Sequence, residues 1–233
     1  MRSEQDISAG QGGKTWTCED YPVIGYREAW DLQLRLVEAR KAGQVKDTLL
    51  LVEHPPVFTL GRRGGRENLS VSEEFLQERG IPLMHAERGG DITFHGPGQL
   101  VGYPIIDLHA AGLGVTEYVG RLEEVMIRTA AHWGVDAGRN SLNRGIWVGN
   151  SKLGSIGIAI RRGITFHGFA LNVNICLEPF TWINPCGLQG IGMTSLELET
   201  SRKLPMDEVR GQVKNNIEAV FGIELFPIQG KRS

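Results

Sequence analysis

The chain contains 233 residues, of which 41% are hydrophobic and 22% are charged, and its formal net charge is −2. This length fits one domain with one hydrophobic core, and the composition is typical of a globular protein rather than a disordered or fibrous one. The small negative charge argues against general binding to nucleic acid or to a membrane surface.

The cysteines and the N-terminal segment limit the class of protein further. Cys18, Cys176 and Cys186 show neither a CxxC pair nor a Cys/His spacing, so we expect no disulfide framework and no metal site. No stretch approaches the ~18 apolar residues of a membrane span, and the polar N-terminus lacks an apolar signal sequence. These features predict a cytoplasmic protein with a flexible N-terminal tail over residues 1–17 and one domain over 18–233.

The first half of the chain alternates between helical and strand patterns. Apolar residues at helical spacing before Gly43 predict a helix over 30–42. The fully apolar run Leu49–Val52, which ends at His54-Pro-Pro, indicates a buried strand. The following segments predict a short helix over 72–79 and then strands over 82–85, 91–94 and 100–106.

The second half contains the clearest amphipathic helix, over 115–133. We expect its apolar stripe to be buried against a sheet. Strands are predicted over 146–148, 153–160 and 164–173, and Arg161-Arg-Gly163 joins the last two as a tight hairpin. A final helix starts at Pro205, and a strand follows over 223–226. The whole pattern predicts a mixed α/β (α+β) domain with a largely antiparallel central sheet flanked by helices.

Glycine is over-represented, with 31 residues that are concentrated in a few short segments. Glycine allows sharp turns and close backbone approach, so these clusters favour a cleft or tunnel built from loops. One of them, Arg88 to Gln99, has two adjacent glycines after an arginine and His95 before Gly-Pro-Gly. These residues are consistent with backbone N–H groups wrapped around a ligand, or equally with a satisfied histidine at a strand end.

Cys186 is the strongest candidate for a catalytic side chain. It lies between Pro185 and Gly187, which argues against burial inside a regular element, whereas an inert core cysteine is the alternative. Lys152, in a second glycine-rich string at a strand start, is a candidate proton carrier or else a solvated surface lysine. We expect Cys176 to pack in the core and Cys18 to lie at the mobile edge of the tail.

Five ordered strings between Leu49 and about Phe221 resemble the lipoyl (octanoyl) transferases, the octanoyl-[acyl carrier protein]:protein N-octanoyltransferase family. The strings are Glu53-His-Pro-Pro-Val-Phe-Thr-Leu-Gly61, Arg88-Gly-Gly through His95-Gly-Pro-Gly-Gln99, Lys152-Leu-Gly-Ser-Ile-Gly157, His167-Gly-Phe-Ala-Leu-Asn172 and Ile183-Asn-Pro-Cys-Gly187. The resemblance implies the single-domain architecture of biotin and lipoate protein ligases.

The resemblance also implies a role for individual residues. Cys186 would carry the acyl group as a thioester, and Lys152 would act as acid/base and favour the thiolate. The residues that would bind the acyl substrate are Arg88, Gly89, Gly90, Asp91, Ile92, Thr93, Phe94, His95, Ser155, Ile156, Gly157, Gly168, Phe169 and Ala170.

The resemblance implies partners as well. The donor would be octanoyl-acyl carrier protein, and the acceptors would be lipoyl domains of 2-oxoacid dehydrogenase complexes and the glycine cleavage H protein. The reaction, which could also use lipoyl groups, would be the first step of endogenous protein lipoylation and would need no cofactor. We further expect Arg62, Arg63, Arg161 and Arg162 to help dock the acidic carrier, unless they belong only to a solvated surface.

Three other functions remain open from the residues alone. An ATP-dependent lipoate or biotin ligase of the same fold would need an adenylate site and has no use for a reactive cysteine. A cysteine hydrolase would use His95 or His167 as base and would release a free acid. A binding module for a carrier protein would hold no covalent acyl group.

Overall fold

The computed structural model describes residues 14–141, 143–184 and 192–228. Six α-helices are present in this part of the chain, namely α1 (Tyr26–Lys41), α2 (Glu73–Glu78), α3 (Leu108–Ala111), α4 (Val115–His132), α5 (Leu196–Thr200) and α6 (Met206–Phe221). The strands are β1 (Lys14–Tyr21), β2 (Thr48–Val52), β3 (Val57–Leu60), β4 (Leu83–His85), β5 (Ile92–His95), β6 (Gln99–Ile105), β7 (Gly145–Val148), β8 (Ser151–Arg161), β9 (Ile164–Asn172), β10 (Gly192–Met193) and β11 (Ile223–Pro227).

The strands form one large sheet and one small sheet. The large sheet has the order β10-β8-β9-β6-β2-β1-β11, and β7 also pairs with β8. Its central pairs, β8 with β9, β9 with β6 and β6 with β2, are antiparallel, whereas β1 runs parallel to both β2 and β11. The small sheet has the order β4-β3-β5. The predicted mixed, largely antiparallel sheet is therefore confirmed.

Helices cover both faces of the large sheet because its central strands are apolar on both sides. Successive side chains of a strand point to opposite faces. Leu49 and Leu51 of β2 accordingly join the core that is formed with α4 and α6, while Leu50 and Val52 join the core that is formed with α1. The apolar run over 49–52 is unbroken because the strand is buried on both faces of the sheet.

The N-terminal tail prediction was wrong for residues 14–17, because β1 begins at Lys14. Trp16 and Cys18 point inward from this strand and are buried, so Cys18 does not lie at a mobile edge. The alternation of polar residues with these two apolar ones is a strand signal. Residues 1–13 lie outside the described part of the chain, and for them the tail stays a prediction.

Most other predicted elements are confirmed, including the tight hairpin between β8 and β9. Arg161 pairs with Ile164, and both Arg162 and Gly163 have positive φ, which is the backbone conformation of a type I′ turn. The expectation for Cys176 was wrong, since its side chain is exposed just after the end of β9. No helix in the described ranges is long and apolar enough to cross a membrane.

Candidate active site

A cavity lies against the α1 face of the large sheet, where several glycine-rich strings converge. Strands β6, β8 and β9 form its floor, and β5 of the small sheet and the start of α1 contribute to its walls. The cavity holds about 860 Å³ of empty space when its opening is included.

Most of the predicted substrate-binding residues meet in this cavity although they come from three separate strings. Those that line it are Arg88, Gly90, Asp91, Ile92, Thr93, His95, Ser155, Ile156, Gly157, Gly168, Phe169 and Ala170. Lys152 lines the same cavity. Gly89 and Phe94 lie behind the lining, and Cys186 lies outside the described residues.

Gly89 and Phe94 support the cavity wall from outside. The backbone N–H of Gly89 donates to the carbonyl oxygen of Ile158 at 2.8 Å, which ties the loop after Arg88 to β8. A Cβ atom on Gly157 would lie 3.0 Å from the Gly89 oxygen, so a glycine here allows this close approach. The Phe94 ring packs against Phe58 and Phe180 in the core of the small sheet.

Arg88 places a buried positive charge beside the cavity. Its guanidinium donates to the Thr59 backbone oxygen at 2.6 Å, to the Thr59 hydroxyl at 2.8 Å and to the Gly89 oxygen at 3.0 Å. Burial lowers the pKa of Arg88, an effect that the nearby Tyr26, Tyr103 and Asp91 oppose. Because an arginine keeps its proton in proteins, Arg88 acts as a fixed cation in this wall.

Lys152 is the second residue of β8 and lies at the other end of the cavity. Its ammonium group is 5.3 Å from the centroid of the Trp147 ring, a distance at which a cation–π attraction operates. Ile183 and Met193, which stand on either side of residues 185–191, also line the cavity. The pairing of Lys152 with Cys186 stays a prediction, since Cys186 belongs to that segment.

A chain of side-chain amides determines which ring nitrogen of His95 carries the proton. Asn172 donates to the Thr194 backbone oxygen at 2.9 Å, and its own oxygen accepts from the Gln99 amide at 2.9 Å. The Gln99 oxygen must therefore accept from Nδ1–H of His95, at 2.7 Å. The remaining nitrogen of His95, Nε2, is then a hydrogen-bond acceptor.

The histidines around the cavity are neutral near pH 7. His54 donates from Nδ1 to the Ile24 oxygen and accepts the Tyr103 hydroxyl at Nε2, at 2.7 Å. Burial lowers its pKa from 6.5 to about 4. Burial, followed by the proximity of His54 and of the Arg88 cation, also holds the pKa of His95 well below its usual range. Such depressed values make His95 a weak general base and count against the hydrolase alternative.

The structure adds cavity residues that sequence reasoning missed. They are Tyr26, Val101, Tyr103, Asn143, Trp147, His167, Phe180, Ile183 and Met193. Most of them look like ordinary core positions of a helix or strand, and only the order of the strands brings them to the cavity. His167 and Ile183 had a local signal, because each opens one of the five strings, and His167 was also a candidate base under the hydrolase alternative.

Comparisons with known proteins identify relatives over most of the chain. A family model described as the lipoyl protein ligase A/B catalytic domain matches residues 25–218. The chain is 50% identical over 206 residues to an octanoyltransferase of Desulfotalea psychrophila, which covers 87% of this chain and 92% of the relative. It is 46% identical over 205 residues to an octanoyltransferase of Caldicellulosiruptor saccharolyticus, which covers 87% of both chains.

The fold also has relatives among solved structures. The crystal structure of lipoate-protein ligase A bound with ATP has a TM-score of 0.71 to this chain at 17% identity, with 95% of this chain and 90% of that chain covered. At this identity the likeness concerns the fold alone. It confirms the predicted ligase-like architecture.

Proposed function

The chain belongs to the lipoyl protein ligase A/B catalytic domain family and transfers octanoyl groups in protein lipoylation, and we propose that it does so through a thioester on Cys186. The observation that carries this proposal is a shared cavity. Lys152 lines it together with Ile183 and Met193, the residues that flank the segment containing Cys186. We infer from these flanking residues that Cys186 and Lys152 act on one substrate, as a nucleophile and its proton carrier.

The first half-reaction exchanges one thioester for another. The Cys186 thiolate attacks the octanoyl carbonyl, a new C–S bond forms, and the bond to the donor thiol breaks. The Lys152 ammonium gives its proton to the departing thiol and becomes a neutral amine. No nucleotide is required, because the donor thioester already carries the activation.

The second half-reaction forms an amide. The acceptor lysine loses one proton to solvent, and its nitrogen attacks the Cys186 thioester. The second proton passes to the neutral Lys152 as the C–N bond forms and the C–S bond breaks, which restores both the thiolate and the ammonium. Each cycle yields one amide, one free donor thiol and one proton.

The other cysteines fit this role poorly. Cys18 is buried in β1, where desolvation, with a contribution from Asp20, raises its pKa to about 12. It holds almost no thiolate near neutrality. Cys176 is exposed, and it is not among the residues that line the cavity. Cys186 is therefore the favoured nucleophile of the three.

The acceptors of the octanoyl group are lipoyl domains. Within that class we propose those of 2-oxoacid dehydrogenase complexes and the glycine cleavage H protein, with octanoyl-acyl carrier protein as the donor in the cytoplasm. The ATP-dependent alternative is disfavoured, because relatives at 46–50% identity are octanoyltransferases, whereas the ligase likeness at 17% identity concerns the fold.

Intact-mass measurement after mixing the protein with octanoyl-acyl carrier protein, without nucleotide, tests the proposal. We expect one octanoyl adduct, which peptide mapping assigns to Cys186, and its loss in Cys186→Ala. Cys176→Ala is the matched control and should form the adduct at the wild-type rate. Acylation that persists in Cys186→Ala, or that needs ATP, would refute the thioester mechanism.

A further inference from the structure

Glu123, in α4, is a buried carboxylate that anchors the start of β7. Its side chain is 2% exposed. One of its oxygens accepts the backbone N–H of Gly145 at 3.1 Å. The other accepts from the guanidinium groups of Arg139 and Arg144, both at 3.3 Å. All three partners belong to the segment that leads into β7, so this one side chain ties the segment to α4.

The carboxylate is a costly group at this position. Burial of a charge is unfavourable unless it is paired and hydrogen-bonded, and a well-packed apolar side chain often stabilises a core as much as a buried ion pair does. The partners Arg139 and Arg144 are themselves about half exposed. Packing of α4 against the sheet therefore does not explain Glu123, whereas a need to fix the position of Gly145 does.

The position of Gly145 affects Lys152 because the two residues lie in close contact. A Cβ atom on Gly145 would lie 3.0 Å from Cε of Lys152 and would overlap the Gly154 backbone oxygen. The φ of Gly145 is +126°, a conformation that other residues rarely adopt. Glycine thus allows the backbone of β7 to lie directly against the aliphatic part of the Lys152 side chain.

The same segment places the aromatic ring near the Lys152 ammonium. The Trp147 indole N–H donates to the Asn143 oxygen at 3.3 Å, and its backbone exchanges two hydrogen bonds of 2.8 Å with Gly138. The ring centroid lies 5.3 Å from the ammonium nitrogen. Two residues of β7 therefore contact the lysine, Gly145 at its aliphatic part and Trp147 at its charged end.

We propose that Glu123 is a positioning residue for Lys152. This inference rests on the proposed thioester function, in which Lys152 gives a proton to the donor thiol and later receives one from the acceptor amine. A proton carrier acts only within hydrogen-bond reach of the atoms it serves, and a displacement of about 1 Å can cost about 10²-fold in rate. Glu123 is not among the residues that line the cavity, so it acts through β7.

The test is a double-mutant cycle on the transfer step. Prolonged incubation with octanoyl-acyl carrier protein first forms the Cys186 thioester, and its single-turnover transfer to a saturating lipoyl domain is then timed. Glu123→Leu removes the carboxylate at similar volume. We expect the transfer rate to fall about 10–10²-fold when Lys152 is present. In a Lys152→Ala background the same change should cost less than about twofold, because no amine remains to be positioned.

Three further variants separate positioning from stability. Glu123→Gln keeps an oxygen for the Gly145 N–H and should restore most of the rate. Thr129→Val, also on α4, removes the acceptor of the buried Asn216 amide at 3.0 Å, and it should lower stability but leave the transfer rate unchanged. If Glu123→Leu does not fold, Arg139→Ala/Arg144→Ala weakens the same anchor from its exposed side and should show a smaller loss with the same dependence on Lys152.

The outcomes distinguish this inference from the proposed function. An equal loss of rate in both backgrounds, or a similar loss in Thr129→Val, would refute the positioning role, because general loosening of the fold would then explain the effect. An unchanged rate in folded Glu123→Leu would refute it as well. A wild-type octanoyl adduct on Cys186 leaves the proposed function intact in each of these cases. Absence of that adduct would overturn the proposed function and this inference with it.

Discussion

The backbone N–H of Thr194 donates a hydrogen bond to the carbonyl oxygen of Lys152 at 3.0 Å. The chain that follows residues 185–191 is thereby joined directly to the predicted proton carrier. Because this contact is made by backbone atoms only, a substitution of the Lys152 side chain leaves it in place. Variants at this position therefore test the chemistry of the amine separately from the anchoring of the neighbouring segment.

Lys152→Ala should slow both the formation of thiolate and the transfer to the acceptor. We expect the pH profile of Cys186 alkylation to move to higher pH, since a nearby ammonium that favours the thiolate is lost. Single-turnover amide formation should fall by about 10²–10⁴-fold and should recover less in alkaline buffer, which supplies thiolate but no positioned proton carrier.

The matched variant for this prediction is Lys152→Arg. It keeps a cation near Cys186 but cannot become a neutral base near pH 7, so it should retain more of the alkylation profile than of the amide formation. Alkylation profiles that coincide in the wild type and Lys152→Ala would contradict the role of Lys152 in tuning the thiol.

The arginines predicted to dock the carrier protein differ in their surroundings. Arg161 donates to both carboxylate oxygens of Glu87 at 2.9 Å, which partly neutralises its charge. Arg62, Arg63 and Arg162 are exposed. We therefore expect Arg162→Ala and the double variant Arg62→Ala/Arg63→Ala to weaken binding of acyl carrier protein more than Arg161→Ala does.

The dependence of the affinity for acyl carrier protein on salt concentration tests this docking role. Electrostatic docking should weaken as ionic strength rises from 0.05 to 0.5 M, because the Debye length falls from about 14 Å toward about 4 Å. Arg128→Ala, on α4 in an exposed pair with Glu124, is the control. An affinity independent of salt, or equal losses in Arg128→Ala and the loop variants, would show that these arginines have no specific docking role.

Gln33 should contribute to stability through one hydrogen bond. In Gln33→Leu the buried N–H of His167 loses its acceptor, which typically costs about 1–3 kcal/mol. We expect the free energy of unfolding in urea to fall by this amount. Gln44→Ala, at an exposed position after α1, is the control and should change stability by less than about 0.5 kcal/mol. Equal stability of Gln33→Leu and wild type would contradict the role assigned to this bond.

Stability should decrease steeply in mild acid. The folded state lowers the pKa of His54 to about 4 and that of His167 to about 3, both from 6.5, and the pKa of His95 also lies well below its usual range. Burial is the first cause in each case. Below pH 6.5 the unfolded chain therefore binds protons that the folded chain does not, so stability is complete above this pH and declines as pH falls toward 4.

The measurement is the free energy of unfolding in urea between pH 7.5 and 5, a range above most carboxylate titrations. Each of the three histidines should contribute at most about 1.4 kcal/mol per pH unit to the slope of the unfolding free energy against pH. His167→Gly should reduce the slope by about one proton, whereas Gln44→Ala, which changes no titratable group at an exposed position after α1, should leave it unchanged. Equal slopes in all three proteins would contradict the assignment of His167 as a buried neutral group.

Local patterns in the sequence determined much of the fold and the identity of the chemical groups. The run Leu49–Val52, the amphipathic stripe of α4 and the turn at Arg162-Gly163 each depend on neighbours within a few residues. The strings that begin at Arg88, Lys152 and His167, on which the family resemblance rests, likewise contain most of the residues that line the cavity. The strand alternation of Trp16 and Cys18 was also present, but the polar residues around them obscured it.

Only the tertiary structure decided which distant residues share the cavity. The amides that orient His95 come from β6, β9 and the residue after β10, and their order depends on how the strands pair. The Tyr26 side chain reaches the cavity because α1 packs on that face, and His167 reaches it through a left-handed backbone that a strand pattern does not encode. Such contacts join residues far apart in sequence, such as Gln33 and His167 at 134 positions, so they arise only when the core packs.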